Sequence, residues 1–352
     1  MPKKLLYFRL RTLITISMIW MIFGIVFYEN LLKPSNDLRV NVSITQFTFT
    51  FWIIGLIITA TTIFFLKPAF NHQPVWFATV LKLLITVFLF FIITFLILTV
   101  YYVFRYHRDL DSFINSFFTK IVQTRTFKVF IVDMGLMTLL SIMLLEVTET
   151  YGPGMFWSML SGEYNKPKKE KRIFVFLDLN NSTTIAEQIG HERYFRLLRT
   201  FYADITLPVL ANDGEVYQYV GDEIVLSWRN TPENKAKSLK FIRNAYFLIQ
   251  RRSKFYMRKY GVVPGFKAGL HAGEVTAGFV GLIKRELIYC GDTLNTTARI
   301  RSLCNELNET YILSDDFVQD FETPHGYTVE NIGTTELRGK TEPVNIYSVN
   351  FE

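Results

Sequence analysis

Cysteine is nearly absent. The 352 residues hold two, Cys290 and Cys304, both late in the chain. That excludes a disulfide framework and fits a reducing compartment for the second half. Charge is missing from long tracts of the first half. Thr12 to Tyr28 carries none, and neither does Phe47 to Leu66. Val75 to Phe104 has Lys82 alone, and Val129 to Leu145 has Asp133 alone. No small-residue cleavage site follows the first tract, and more apolar tracts do, which argues against a cleaved signal peptide. Acid is scarcer than base: 31 Asp and Glu face 38 Lys and Arg, for a net charge of +7. The excess base clusters beside the apolar tracts. It points to membrane flanks, and no nucleic-acid partner is expected.

What is there in abundance is apolar surface. Half of the residues are hydrophobic, and 33 are Phe. Crossing a bilayer takes roughly 20 apolar residues, so the four apolar tracts are expected to be transmembrane helices. Residues 1–150 are accordingly expected to form an α-helical membrane domain, 151–171 a juxtamembrane linker, and 172–352 a separate domain. Lys3, Lys4, Arg9 and Arg11 precede the first tract, and Lys166, Lys168, Lys169, Lys171 and Arg172 follow the last. Both groups belong on the cytoplasmic side by the positive-inside rule, which four spans satisfy. The segment between the third and fourth tracts, with Arg105, Arg108, Lys120, Arg125 and Lys128, then falls outside, against the same rule. Its stretch "DLDSFINSFFTKIV" has the pattern of an interfacial amphipathic helix. Lys82 and Asp133 are candidates for an intramembrane pair or a ligand site, and a packing or snorkelling role is the simpler alternative. The expected location is the cell (inner) membrane, multi-pass, with the second domain cytoplasmic.

The second half alternates strands with helices, as in an α/β or α+β domain. Ile173 to Leu179 has the pattern of a buried strand and Thr184 to Leu207 that of a helix. Glu215 to Trp228 forms a hairpin pattern around Gly221, Asp222 and Glu223. A long helix is expected from about Asn234 to Tyr260. "FKAGLHAGEVTAGFVG" fits a strand, a glycine turn and a second strand, and Thr293 to Leu307 a helix. Asp178 ends a strand and Asp222 sits in a turn. Two acids so placed can converge on divalent cations, and Mg²⁺ suits one or two carboxylates that leave room for substrate phosphates. The polar turn after Asp178 opens a helix, whose free N–H groups suit a polyphosphate. Taken alone, Asp178 fits an ordinary loop acid equally well.

Five segments occur together and in order: "FVFLDLNNSTTIAE", "GEVYQYVGDEIVLSW", "GLHAGEVTAGFVG", "CGDTLNTTARI" and "LRGKTEPVNIY". This set closely resembles the class III nucleotide cyclase catalytic domain, over roughly Arg172 to Val349. The resemblance implies a ferredoxin-like core sheet with flanking helices. It implies that Asp178, Asp222 and the backbone of Leu179 hold two divalent ions, Mg²⁺ or Mn²⁺. Asn181, Ser182 and Thr183 would cradle phosphates, and Lys340 would contact the terminal ones. Asn295 and Arg299 would match the Asn-x-x-x-Arg pair that orients the ribose and stabilises the transition state. Positions i and i+4 share a helix face, and a guanidinium can clamp a reacting phosphoryl group. In the family the metal aspartates and the Asn/Arg pair come from two chains, so a homodimer is implied. The implied activity converts a nucleoside triphosphate, ATP first, to the 3′,5′-cyclic nucleotide and pyrophosphate.

The sequence departs from the family where the base is read. Gln218 stands where adenylate-specific members have Lys, and Ile288 where they have Asp or Thr. The Glu and Cys of guanylate-specific members are absent from those positions too. Glu274 occupies a place where some members carry an arginine, and His271 lies in a probable strand with a structural role expected. Two rivals stay open. "YVGDEIVL" has the look of a diguanylate cyclase turn, and the altered base positions suit a catalytically inactive dimeric signalling module. A cyclase for GTP or a pyrimidine nucleotide is a third alternative.

Overall fold

The structure, a computed structural model, describes residues 3–29, 43–70, 73–106, 109–151, 158, 161–336 and 343–351. They fall into two compact units, one of Leu6–Phe156 and one of Trp157–Glu352 together with Met1–Leu5.

The first unit is helical. Its long helices are α1 (Lys3–Phe27), α2 (Ile44–Thr61, continuing through a π-helical turn to Phe70), α3 (Val75–Tyr106) and α5 (Arg125–Tyr151), with the short α4 (Leu110–Ser116) between the last two. Four stretches are long and apolar enough to cross a membrane: Arg9–Phe27, Ile44–Phe70, Val75–Val100 and Arg125–Thr148. Small residues let the helices approach closely. A Cβ on Gly55 would lie 2.5 Å from the Trp20 side chain, and Trp20 Nε1 donates to Ser141 Oγ at 2.9 Å.

One expectation changes here. Lys82 pairs with Glu146 (Nζ–Oε1 2.9 Å), not with Asp133. Helices α3 and α5 run antiparallel, with Phe90 against Phe130, so a lysine early in α3 meets the end of α5 rather than its middle. The segment after Asp109 is helical as expected. However, Phe113, Phe117 and Ile121 pack on Phe91, Phe95 and Phe127 of the unit itself, so that face is spent on protein.

The second unit is a mixed α/β domain. Its strands are β1 (Lys168–Leu179), β2 (Glu215–Val220), β3 (Glu223–Arg229), β4 (Phe266–Val280), β5 (Glu286–Cys290), β6 (Tyr311–Ser314), β7 (Tyr327–Thr335) and β8 (Val344–Phe351). The sheet order is β2-β3-β1-β4-β6-β8-β7, with β5 paired to β4. Between β1 and β2 lie α6 (Ser182–Ile189) and α7 (His191–Ala211). Between β3 and β4 lie α8 (Pro232–Arg251) and α9 (Ser253–Tyr260), and α10 (Asp292–Glu306) follows β5. The first four strands, in antiparallel order β4-β1-β3-β2 with helices after β1 and β3, are a ferredoxin-like core. Strand β1 is covered on both faces, which explains its unbroken apolar run. Ile173, Val175 and Leu177 face Leu197, Phe201 and Leu239, whereas Phe174 and Phe176 face Val275 and Tyr289. Side chains alternate along a strand, so Asp178 belongs to the second face.

Three elements differ in detail from the sequence pattern. The helix expected from Thr184 is two helices, broken at Gly190 (φ 82°). The helix expected from Asn234 is also two, because Arg252 (φ −94°, ψ 6°) leaves the helical region while its guanidinium engages Asp204. The segment from Phe266 is one long strand without a turn. Its glycines serve approach rather than reversal. A Cβ on Gly273 would meet Thr293 Oγ1 at 2.5 Å, and one on Gly269 would meet the Arg301 backbone N at 2.5 Å. Helix α10 thus lies directly on β4.

Candidate active site

The β1–β3 register sets Asp178 opposite Glu223. The two-residue turn Gly221-Asp222 joins β2 to β3, with Gly221 at φ 63°. Tyr202 Oη donates to the Gly221 carbonyl at 2.9 Å and steadies that turn from α7. Asp178 and Asp222 lie close enough for each carboxyl to feel the other's charge. Burial, opposed by Arg301 and reinforced by Asp222 and Glu223, pushes the Asp178 carboxyl up to about 6. Burial likewise raises Glu223, against the pull of Arg301. Burial first, and then Asp222, raises the Tyr194 and Tyr202 hydroxyls. Three carboxylates crowded in one partly buried patch are electrostatically short of positive charge. This is the condition under which hard divalent cations bind oxygen ligands. The donor set therefore fits such ions, with Asp178, Asp222 and the Leu179 carbonyl as the candidate ligands. Among the described residues no group of three or more His, Cys, Asp or Glu is arranged to enclose a metal by itself. Part of any coordination would thus come from substrate and water.

The turn beyond Asp178 has a distinct backbone. Asn180 N donates to the Gly265 carbonyl at 2.9 Å, and Asn181 adopts a left-handed conformation (φ 53°) at the N-cap of α6 without a capping side-chain bond. Ser182 and Thr183 form the first turn, and Asn181 and Thr183 are exposed. First-turn N–H groups have no intrahelical acceptor, so this end of α6 is open to an anion beside the carboxylates.

Asn295 and Arg299 lie on α10. Asn295 is exposed. Arg299 Nη1 is buried and has no hydrogen-bond partner among the described residues. No hydrogen bond or ion pair joins either residue to Asp178 or Asp222 among the described residues. Arg301, two residues on, turns the other way: at about 100° per residue it lies on the far side of the helix from Arg299. Its Nη1 lies 3.2 Å from Asp178 Oδ2, and Nη2 lies 2.7 Å from Glu223 Oε2. The structure thus brings Asp178 and Asp222 together and adds Glu223 and Arg301, which the motif comparison had passed over.

Gln218 is exposed and sits at a register irregularity in β2; Ile288 is half-buried in β5. Their neighbours meet: the Tyr217 and Tyr289 rings are 5.0 Å apart, and Tyr289 N donates to Tyr217 Oη at 3.3 Å. Alternation along each strand turns Gln218 and Ile288 away from that contact. Buried Arg172 closes the cluster over the Tyr289 ring at 5.0 Å, and it also binds Glu170 and Glu215. His271 is buried and held by Ser314 (Nδ1···Oγ 2.7 Å), which agrees with a structural role. Glu274 pairs with Lys169 at 2.9 Å. Lys340 lies outside the described residues.

A ferredoxin-like sheet that places two acids beside an open helix N-terminus has the arrangement of an α/β domain able to receive divalent cations and an anion together. The family profile of the adenylate and guanylate cyclase catalytic domain matches residues 164–350, and the chain belongs to that family. Adenylate cyclase 2 of Rhizobium meliloti (strain 1021) is 34% identical over 212 residues, 59% of this chain and 58% of that one. Retinal guanylyl cyclase 2 of Mus musculus is 30% identical over 168 residues, 47% of this chain and 15% of that one. The chain therefore spans less than two thirds of the length of either relative. A solved structure of a bacterial light-regulated adenylyl cyclase shares the fold, with TM-score 0.52 and 20% identity over 65% of this chain and 67% of that one.

Proposed function

We propose that this chain is a membrane-anchored nucleotide cyclase that forms a 3′,5′-cyclic nucleotide and pyrophosphate, with ATP as its substrate. The observation that carries this reading is the convergence of Asp178 and Asp222 next to the open N-terminus of α6, within a domain of the cyclase family. Divalent cations, when bound, would lower the pKa of the ribose 3′-hydroxyl and neutralise charge at the α-phosphate. Asp178, Asp222 and the Leu179 carbonyl would hold them. The Ser182 and Thr183 N–H groups would face the β- and γ-phosphates, with Asn181 shaping the turn and Lys340 reaching the terminal oxygens. The 3′-hydroxyl gives its proton to water, its oxygen attacks the α-phosphorus, the bond from that phosphorus to the bridging oxygen breaks, and pyrophosphate leaves. Arg299 would donate to the oxygens that gain charge as this happens, and Asn295 would orient the ribose. A buried guanidinium N–H without a partner supports that role for Arg299, since such a donor is costly until an anion reaches it.

Helix geometry supports a shared-site homodimer. Arg301 turns towards this chain's own Asp178, so Arg299, on the other side of α10, is free to serve the site of a second copy. The R. meliloti relative supports ATP. The four apolar helices support an anchor, and basic residues at both ends of that unit support a cytoplasmic catalytic domain. The test is to incubate the purified chain with Mn²⁺ and each of ATP, GTP, CTP and UTP, and to identify products by mass spectrometry. Cyclic AMP with pyrophosphate is expected. No cyclic product from any of the four refutes the reading.

A further inference from the structure

Arg301 joins three elements. It is carried on α10, whose backbone at this residue lies so close to β4 that only glycine fits at position 269. Its Nε and Nη2 both bind one oxygen of Glu223, Oε2, at 2.8 and 2.7 Å. Its Nη1 reaches Asp178 Oδ2 at 3.2 Å. All three side chains are largely covered, with 24% of Arg301, 12% of Glu223 and 21% of Asp178 exposed. Glu223 follows Asp222 in the chain and stands opposite Asp178 across β1 and β3. It is therefore a third carboxylate within the same patch, and its oxygens are as suitable for a hard cation as those of the two aspartates. An arginine fork occupies a carboxylate in a fixed geometry that a lysine does not reproduce.

We propose that Arg301 is a positioning residue for the cyclase reaction: its guanidinium withdraws Glu223 from the cations and aims Asp178 at them. This rests on the cyclase reading above. Without Arg301, Glu223 becomes a competing ligand and Asp178 loses the guanidinium that faces it. Metal then binds more tightly and in the wrong arrangement, while turnover falls. A residue that merely braced the fold would change stability and leave metal affinity alone.

The experiment measures Mn²⁺ binding to the full chain in detergent by electron paramagnetic resonance, beside kcat. R301M is expected to bind Mn²⁺ about tenfold more tightly, the effect of removing a nearby charge from a divalent ion in a half-buried site, and to lose at least about tenfold in kcat. The double variant R301M/E223Q removes the competing carboxylate as well, so its Mn²⁺ affinity is expected to return to within about threefold of wild type. If R301M does not fold, R301K, which keeps the charge and loses the fork, must still lower kcat, because Glu223 is no longer held in a fixed geometry away from the cations. Mn²⁺ affinity in folded R301M equal to or weaker than wild type overturns the role of Arg301. So does tighter binding that E223Q fails to reverse. A wild-type chain that binds Mn²⁺ no better than D178A overturns the cyclase reading itself, which is a separate result.

Discussion

Asp178→Asn is expected to stabilise the metal-free domain while abolishing turnover. Burial and two neighbouring acids raise the Asp178 carboxyl from its ordinary 3.8 to about 6. At pH values between these, the unfolded chain has released a proton that the folded chain retains. Stability therefore falls as pH rises through the window from 3.8 to about 6, and the cost stays fully present above it. A shift of about 2 units corresponds to about 3 kcal/mol, as an upper bound for a group that keeps some solvent contact. Arg301 already opposes the shift, so its attraction is included in that figure. Asn has nearly the same shape and no charge to lose, so the variant escapes the cost. For a domain of this size, 1 kcal/mol moves Tm by about 2–4 °C, which gives a rise of roughly 6–12 °C. The assay is a thermal melt of the detergent-solubilised chain in EDTA, following the transition that added Mn²⁺ shifts in the wild type. At pH 7.5 the variant should melt well above the wild type, and the gap should close towards pH 4. Excess Mn²⁺ should raise the wild type alone, by about 2.7 kcal/mol at a hundredfold excess over Kd. A variant that melts at or below the wild type at pH 7.5 in EDTA would refute the claim that these acids are held together against their repulsion.

Three further outcomes are expected. D178A and R299A should each be inactive alone, and mixing them should recover up to about a quarter of wild-type activity, because half of the random dimers hold one intact site; no recovery in a mix shown to exchange subunits counts against the shared site. Wild-type selectivity among nucleotides should be weak, because an apolar Ile288 gives no hydrogen bond, and Q218K/I288T should sharpen the preference for ATP; a wild type already selective by more than about 10⁴-fold in kcat/KM would show that other residues read the base. G269A should cost about 1–3 kcal/mol in the melt, since its Cβ would press on the backbone of Arg301, and should lower kcat as well; unchanged stability would mean that α10 is free to move off β4.

The fold was legible where physical signals were local. Apolar tracts poor in charge marked the four membrane-length helices, and the run from Ile173 to Leu179 marked a strand covered on both faces. The breaks at Gly190 and Arg252 were not legible, because helical spacing of apolar residues continues across both and only backbone angles or a distant acid reveal the interruption. The single long β4 was missed for a related reason. A glycine in a sequence signals either a turn or a close approach, and only the position of α10 decides between them.

The candidate site divides along the same line. Asp178 and Asp222 were legible because a strand end and a hairpin turn fix where their carboxylates go. Arg301 was not, although it stands two residues beyond Arg299. One arginine on a helix looks like another until the partner surfaces are known, and 200° of helical rotation separates their roles. Lys82 teaches the same lesson in the other unit. Two ionisable residues in apolar tracts invited pairing with each other, yet antiparallel packing handed Lys82 to Glu146, at the end of α5. Charge pairs over long sequence separation are decided by register between elements, and that register is set by apolar packing. For this reason Glu223 has to be judged by its place opposite Asp178, and its charge belongs in any account of how the proposed cation site is tuned.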